Sequence, residues 1–187
     1  MGRERKKENT RRALAQAAAE LLLAEGQEGM TVAAIAKRAG VSPRTFHNYF
    51  PRREDSLLYL LERYVAEFTA KVRQAPPEEQ PVDTLHRLMA DFIQNPEFMV
   101  NLMTICDHLS CVLSPRDRSR VRHLHEPLIE ALQSDNLSRE GATLLLFSAL
   151  TAASIAVESH QNLDEGFALL RNGFSGEVGG VCGSRLV

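Results

Sequence analysis

Arg44, Thr45 and His47 follow closely on Ser42-Pro43, a pair that opens helices as N-cap and first helical residue. Side chains on the first turns of a short helix can enter the major groove of DNA and meet base edges. The Arg44 guanidinium can donate two hydrogen bonds to guanine O6 and N7, which makes it the candidate sequence reader. Thr45 can touch a thymine methyl or a phosphate, and Ser42, Pro43 and His47 share the same groove-facing turns, while Phe46 points inward. Catalytic chemistry finds no comparable arrangement. Cys106 and His108 would project from nearly opposite sides of a helix of ~3.6 residues per turn, and so would His123 and His125. Neither H-x-x-x-H nor C-x-x-C occurs, nor a glycine-rich phosphate loop, nor G-x-S-x-G. The residues read as those of a binding protein, with no enzyme activity, metal or cofactor expected.

The elements that must hold these side chains lie between Thr31 and Phe50. Thr31 is an N-cap, and Val32, Ile35, Ala36 and Ala39 make one apolar face. Gly40 stands where a helix ends in a positive-φ residue. Val41 precedes the Ser42 cap and Phe46 lies one turn beyond it, the spacing of a hydrophobic staple. Two helices joined through a short glycine turn form a helix-turn-helix, whose second helix reads the groove.

The run TVAAIAKRAGVSPRTFHNYFPRREDSL resembles the N-terminal domain of the tetracycline-repressor (TetR) family. The marks are I-A-x-x-A-G-V-S, then T-F-x-x-Y-F, then a basic-acidic pair leading into leucines; about 50 residues carry them. The resemblance implies an all-α fold, with a three-helix helix-turn-helix head and a C-terminal helical bundle for ligand binding and dimerisation. It places His47 at a base-contacting position where the family often has tyrosine, and Asn48, Tyr49 and Arg53 near phosphates. Thr31 then offers a helix N-terminus to the backbone. Arg52 departs from the pattern, since similar sequences often cap the connecting helix with serine there.

Charge divides the chain. Residues 1–55 hold 11 Lys/Arg against 7 Asp/Glu, whereas residues 56–187 hold 11 against 17. A basic head on an acidic body implies that the head alone meets a polyanion. At 187 residues the chain can bury a sizeable core without a metal or disulfide staple. Three cysteines make an odd count that suits a reducing compartment, and the basic N-terminus lacks the apolar run of a signal peptide. The run Leu144 to Val157, interrupted by Ser148, Thr151 and Ser154, reads as too short for a membrane. A cytoplasmic location is the expectation.

Along the chain, residues 1–8 read as a disordered arm. Asn9 or Thr10 caps a helix that carries Leu14, Ala18, Leu21 and Leu22 inward and stops at Gly26, completing a head over 9–55 with its motif at 31–50. A long helix from Arg53 to Gln74 connects head to body, and prolines 76, 77 and 81 mark a linker. The body, 56–175, continues with helices from Asp83, Pro96, Ser114-Pro115, Ser138 and Asp164. The Ser114-Pro115 helix should kink at Pro127, whose ring clashes with the His123 carbonyl. The helix from Ser138 to His160 is apolar on nearly every side, so one face suits the core and the other a partner subunit. The glycine-rich tail, 176–187, reads as disordered.

These patterns predict a homodimer joined through helices 138–174, binding a palindromic operator in double-stranded DNA. They point to a repressor released by a small apolar or amphipathic effector. Phe68, Met89, Phe92, Phe98, Met99, Leu102, Met103 and Cys106 could line its pocket, or simply fill the core. His86, His108 and His160 are candidate polar handles. Two alternatives stand beside this. One is a non-specific or architectural DNA-binding protein. The other is a thiol redox sensor using Cys106 and Cys111, whose disulfide would need the helix to unwind because five residues turn ~140°.

Overall fold

The computed structural model describes residues 2–94, 96–159 and 162–172, and within them the side chains at 96–101, 115, 116, 120 and 122 are left aside. Phe98, Met99, His160 and the 176–187 tail therefore lie outside the described residues. Ten helices run through the described chain: α1 (Gly2–Gly29), α2 (Val32–Arg38), α3 (Pro43–His47), α4 (Arg53–Arg73), α5 (Pro81–Ile93), α6 (Pro96–Val112), α7 (Pro115–His123), α8 (Glu126–Leu132), α9 (Arg139–Ser159) and α10 (Leu163–Arg171). The fold is all-α, with α1–α3 as the head and the later helices as the body.

One core lies in the head. Leu14, Ala18, Leu21 and Leu22 of α1 meet Ile35, Phe46, Phe50 and Leu57, all at most 5% exposed. Ile105, Leu109 and Leu113 of α6 join the same cluster. The head's core thus does not part from the body at residue 55, because α4 and α6 serve both sides. The second core gathers Val72, Leu85, Leu146, Ala149, Ala153 and Phe167 from α4, α5, α9 and α10.

Three expectations need correction. The first turns of α1 are helical from Gly2, where an unstructured arm was expected. The extension is anchored: Glu8 accepts hydrogen bonds from Tyr59 and, at 3.2 Å, from Arg63 of α4, and Arg11 lies over the Tyr59 ring at 4.4 Å. Nothing between residues 2 and 9 breaks a helix once that anchor is made. Next, Pro127 does not kink one helix. It sits in the first turn of α8, and α7 ends at His123, because proline has no N–H to bond the preceding turn. Last, α9 is a single 21-residue helix, long and apolar enough by length and composition to cross a membrane; it is the one such helix among the described residues. The interrupting polar residues do not shorten it, since hydroxyls bond back along the helix: Thr151 donates to the Phe147 carbonyl at 2.9 Å. Its alanine face (Ala142, Ala149, Ala153 and Ala156) is packed in the body's core.

α10 crosses α9 closely. A Cβ on Gly166 would come within 2.9 Å of the Ala152 Cβ, so only glycine allows this approach. Arg171 of α10 donates to Asp83 of α5 at 2.8 Å and tethers the far end.

Candidate nucleic-acid interface

Short-range hydrogen bonds build the turn before α3. Ala39 closes α2; Gly40 at φ 69° then donates to the Lys37 carbonyl at 3.1 Å and Val41 to the Ala36 carbonyl at 2.9 Å. This paired pattern satisfies the last carbonyls of α2 and reverses the chain. Ser42 Oγ accepts from the Thr45 N–H at 3.1 Å and caps α3, while Thr31 Oγ1 accepts from the Ala34 N–H at 3.1 Å and caps α2. Phe46 is fully buried, and Phe50 stacks on it with ring centres 5.7 Å apart, so α3 is pinned by its inner face.

The outer face is polar and open. Ser42, Pro43, Arg44, His47 and Asn48 are exposed, as is Thr31 at the start of α2. Among the described residues Arg44 has no ion-pair partner, which leaves its guanidinium fork available. His47 leans its ring edge on Phe46 at 5.6 Å. Thr45 is half-buried and its hydroxyl lies 2.9 Å from that of Ser42, so part of its hydrogen-bonding capacity serves the cap. Tyr49 is half-buried and packs against the head core, the role that competes with a phosphate contact.

Arg53 does not stand free as a phosphate clamp. Its guanidinium donates to the Gln27 and Met30 carbonyls at 2.9 and 3.2 Å and pairs with Glu54 at 2.7 Å. It thereby closes the α1–α2 joint, whose helix is broken at Gly26 (φ 70°). Sequence spacing could not reveal this, because the acceptors are backbone atoms more than twenty residues away. Arg52, the departure from the family pattern, bridges head and body. It donates to Asp55 and, at 3.0 Å, to Asp117 of α7, and Asp55 accepts from the Arg52 N–H at 3.0 Å, which covers the missing serine cap. Asp55 first and Asp117 second hold the Arg52 guanidinium above its already high ordinary pKa. The exposed Arg3, Arg5, Lys6 and Lys7 extend the basic surface along the start of α1.

In the body, a cavity of about 160 Å³ is lined by five of the eight expected pocket residues: Phe68, Met89, Phe92, Leu102 and Cys106. Met103 is half-buried and does not line it. Tyr64, Val65 and Leu61 of α4 join from the stripe that the sequence shows, and His125 joins from the α7–α8 break. His125 replaces the expected handles: His86 lies on the Phe167 ring at 4.7 Å, and His108 faces Glu54 and Arg53, with burial pushing its pKa down. Burial also raises the Cys106 thiol to about 11, so it stays protonated and is a poor redox nucleophile. Outside the core, Leu144, Phe147, Ile155 and Leu169 are exposed around a groove of about 450 Å³ between α9 and α10.

Residues 14–59 match the model of bacterial regulatory proteins of the tetR family. Over 83 residues the chain is 36% identical to the HTH-type transcriptional regulator TcmR of Streptomyces glaucescens; the aligned stretch covers 44% of this chain and spans only 37% of that relative's length. The fold resembles that of Thermus thermophilus FadR, a TetR-family transcriptional repressor solved in complex with lauroyl-CoA, at 25% identity and a TM-score of 0.56, covering 93% of this chain and all of that one. A TetR transcriptional regulator from Rhodococcus sp. RHA1 shares the fold at 17% identity and a TM-score of 0.58, covering 89% of this chain and 94% of that one. The family match falls on the capped helix pair that carries Arg44, so residues 14–59 form an N-terminal domain of the tetR type, and the structural match runs through the helical body behind it.

Proposed function

We propose that this chain is a homodimeric, sequence-specific DNA-binding transcriptional repressor, released from its operator by a small organic effector. The observation that carries the reading is the exposed Arg44, without an ion-pair partner among the described residues, on a short helix held by its capped turn and buried Phe46. Ser42, Pro43, Thr45, His47 and Asn48 share its face, with Thr31 offering backbone N–H groups to a phosphate.

The second copy is argued from the apolar groove of α9 and α10. Four large hydrophobic residues, led by Leu144 at 71% exposure, line a face that water alone would cover poorly. A matching face on another protomer would bury them across a two-fold axis. Two heads would then address half-sites one helical turn apart, about 34–36 Å, or a multiple of it. The effector reading rests on α4. Leu61, Tyr64, Val65 and Phe68 line the cavity, and the same helix begins at Arg53 in the head. Displacing α4 from the cavity side therefore moves the head, and a shift of a few ångströms takes the two recognition helices out of register with the grooves.

Selection of binding sites from a random duplex pool, followed by titration, tests the reading. The selected site should be palindromic and bind roughly 10³-fold or more tighter than scrambled DNA. A ratio near one, with all affinity lost on raising salt, would leave only the non-specific alternative. Sedimentation at micromolar concentration should give a dimer, and a monomer there would remove the operator geometry.

A further inference from the structure

We infer that the ligand of the α4–α6–α9 cavity is an uncharged, compact molecule of about one aromatic ring, and that carboxylates and CoA thioesters do not enter it. The inference rests on the reading of this cavity as the effector site and deepens it.

The lining decides the charge. None of the thirteen residues around the cavity is Lys, Arg, Asp or Glu, and only Tyr64, Cys106 and His125 bring polar side-chain atoms. Lys71 is held over the Phe92 ring, 5.2 Å from its centre, and is not part of the lining. Moving a carboxylate or phosphate from water into such a site, with no Lys or Arg among the described lining residues to receive it, carries a large desolvation penalty. The cavity already shows this discrimination: its own thiol, on Cys106, is pushed up to about 11 by burial. A site that disfavours a thiolate disfavours any anion for the same reason.

The shape decides the size. A volume of about 160 Å³ is close to the ~150 Å³ of an engineered apolar cavity that accepts benzene. Phe68 and Phe92, with ring centres 5.3 Å apart and 34° between planes, leave aromatic surfaces for an edge or offset contact. A long acyl chain exceeds the space, and the nucleotide of a CoA thioester would find no phosphate cradle among the described residues of the wall. The fold shared with the lauroyl-CoA complex of FadR therefore does not carry over its ligand class.

The test uses the full-length chain at about pH 8, above the ordinary imidazole range, with three probes: 4-ethylphenol, 4-ethylbenzoate and dodecanoyl-CoA. Ligand-observed NMR titration and thermal shift read binding. Cys106→Phe and Leu102→Phe each fill the cavity from α6, so that one misfolded variant still leaves the other. The expected result is saturable binding of 4-ethylphenol at least about tenfold tighter than 4-ethylbenzoate, no saturable binding of dodecanoyl-CoA, and loss of 4-ethylphenol binding in a folded filled variant. Equal or tighter binding of the carboxylate or the CoA thioester, abolished by filling, would overturn the ligand class while leaving the effector site in place. No binding by any probe, or binding that both folded filled variants retain, would overturn the effector-site reading along with it.

Discussion

The head and the body hold their working residues by different means. In the head, the turn into α3 is set by short-range groups, the Thr31 and Ser42 caps and the Gly40 turn, and Phe46 then pins the helix into the core. In the body, the cavity draws on residues from Leu61 to Ala153, carried by α4, α5, α6, α8 and α9 and the break before α8. The head is therefore rigid by local hydrogen bonding, suited to presenting one fixed face to DNA. The body's cavity is rigid only as far as helix packing makes it so, which is compatible with the proposed effector site.

Deleting the head's anchor should give the largest effect. Phe46→Ala removes a fully buried ring and should cost about 3–5 kcal/mol in urea unfolding. Because α6 shares the head core, the loss should not be confined to the head, and a head that melts separately from an intact body would break this account of their shared core. Arg44→Ala should leave stability unchanged and cost about 1–3 kcal/mol at one base pair of each half-site. Equal weakening on operator and scrambled duplex would make Arg44 a phosphate contact and misplace the reading face.

Arg53→Ala sharpens the comparison within the head. Freed from the Gln27 and Met30 carbonyls, the α1–α2 joint should lose about 1–2 kcal/mol. The salt slope of DNA binding should stay the same, whereas a phosphate clamp would lower it by about 0.9. A double-mutant cycle on Arg52→Ala and Asp117→Asn probes the bridge between the two regions. Arg52 is 49% exposed, so the coupling should fall below about 1 kcal/mol in stability. A larger value would mark the joint as stiffer than its exposure implies.

The smallest effect is acid sensitivity confined to the body. Arg87 first, and Thr84 second, hold the Glu79 carboxyl well below its ordinary value, at about 2. A depressed folded value stabilises the protein above the unfolded carboxylate range and is lost as pH falls from about 4 through 2. Thermal melts across that interval should fall more gently in Glu79→Gln than in wild type. Identical slopes would mean that the Glu79–Arg87 pair, drawn at 2.7 Å, is not populated in solution.

How much was legible follows from range. The helix-turn-helix, its caps and the exposed outer face of α3 could be taken from residues 31–50 because each determinant acts over at most one helical turn, and the inward stripes of α1 and α4 follow from periodicity alone. Most of the cavity-facing side chains on α4, α5 and α6 were legible for the same reason: Phe68, Met89, Phe92, Leu102 and Cys106 lie on apolar faces that must turn inward. Only the tertiary structure could decide the rest. The helical state of residues 2–8 depends on Glu8 finding Tyr59 and Arg63, Arg53 is claimed by carbonyls of another helix, and His125 reaches the cavity only because α7 stops before Pro127. In each case the deciding partner is distant in sequence, and burial and pairing at long range are settled by packing rather than by any local pattern.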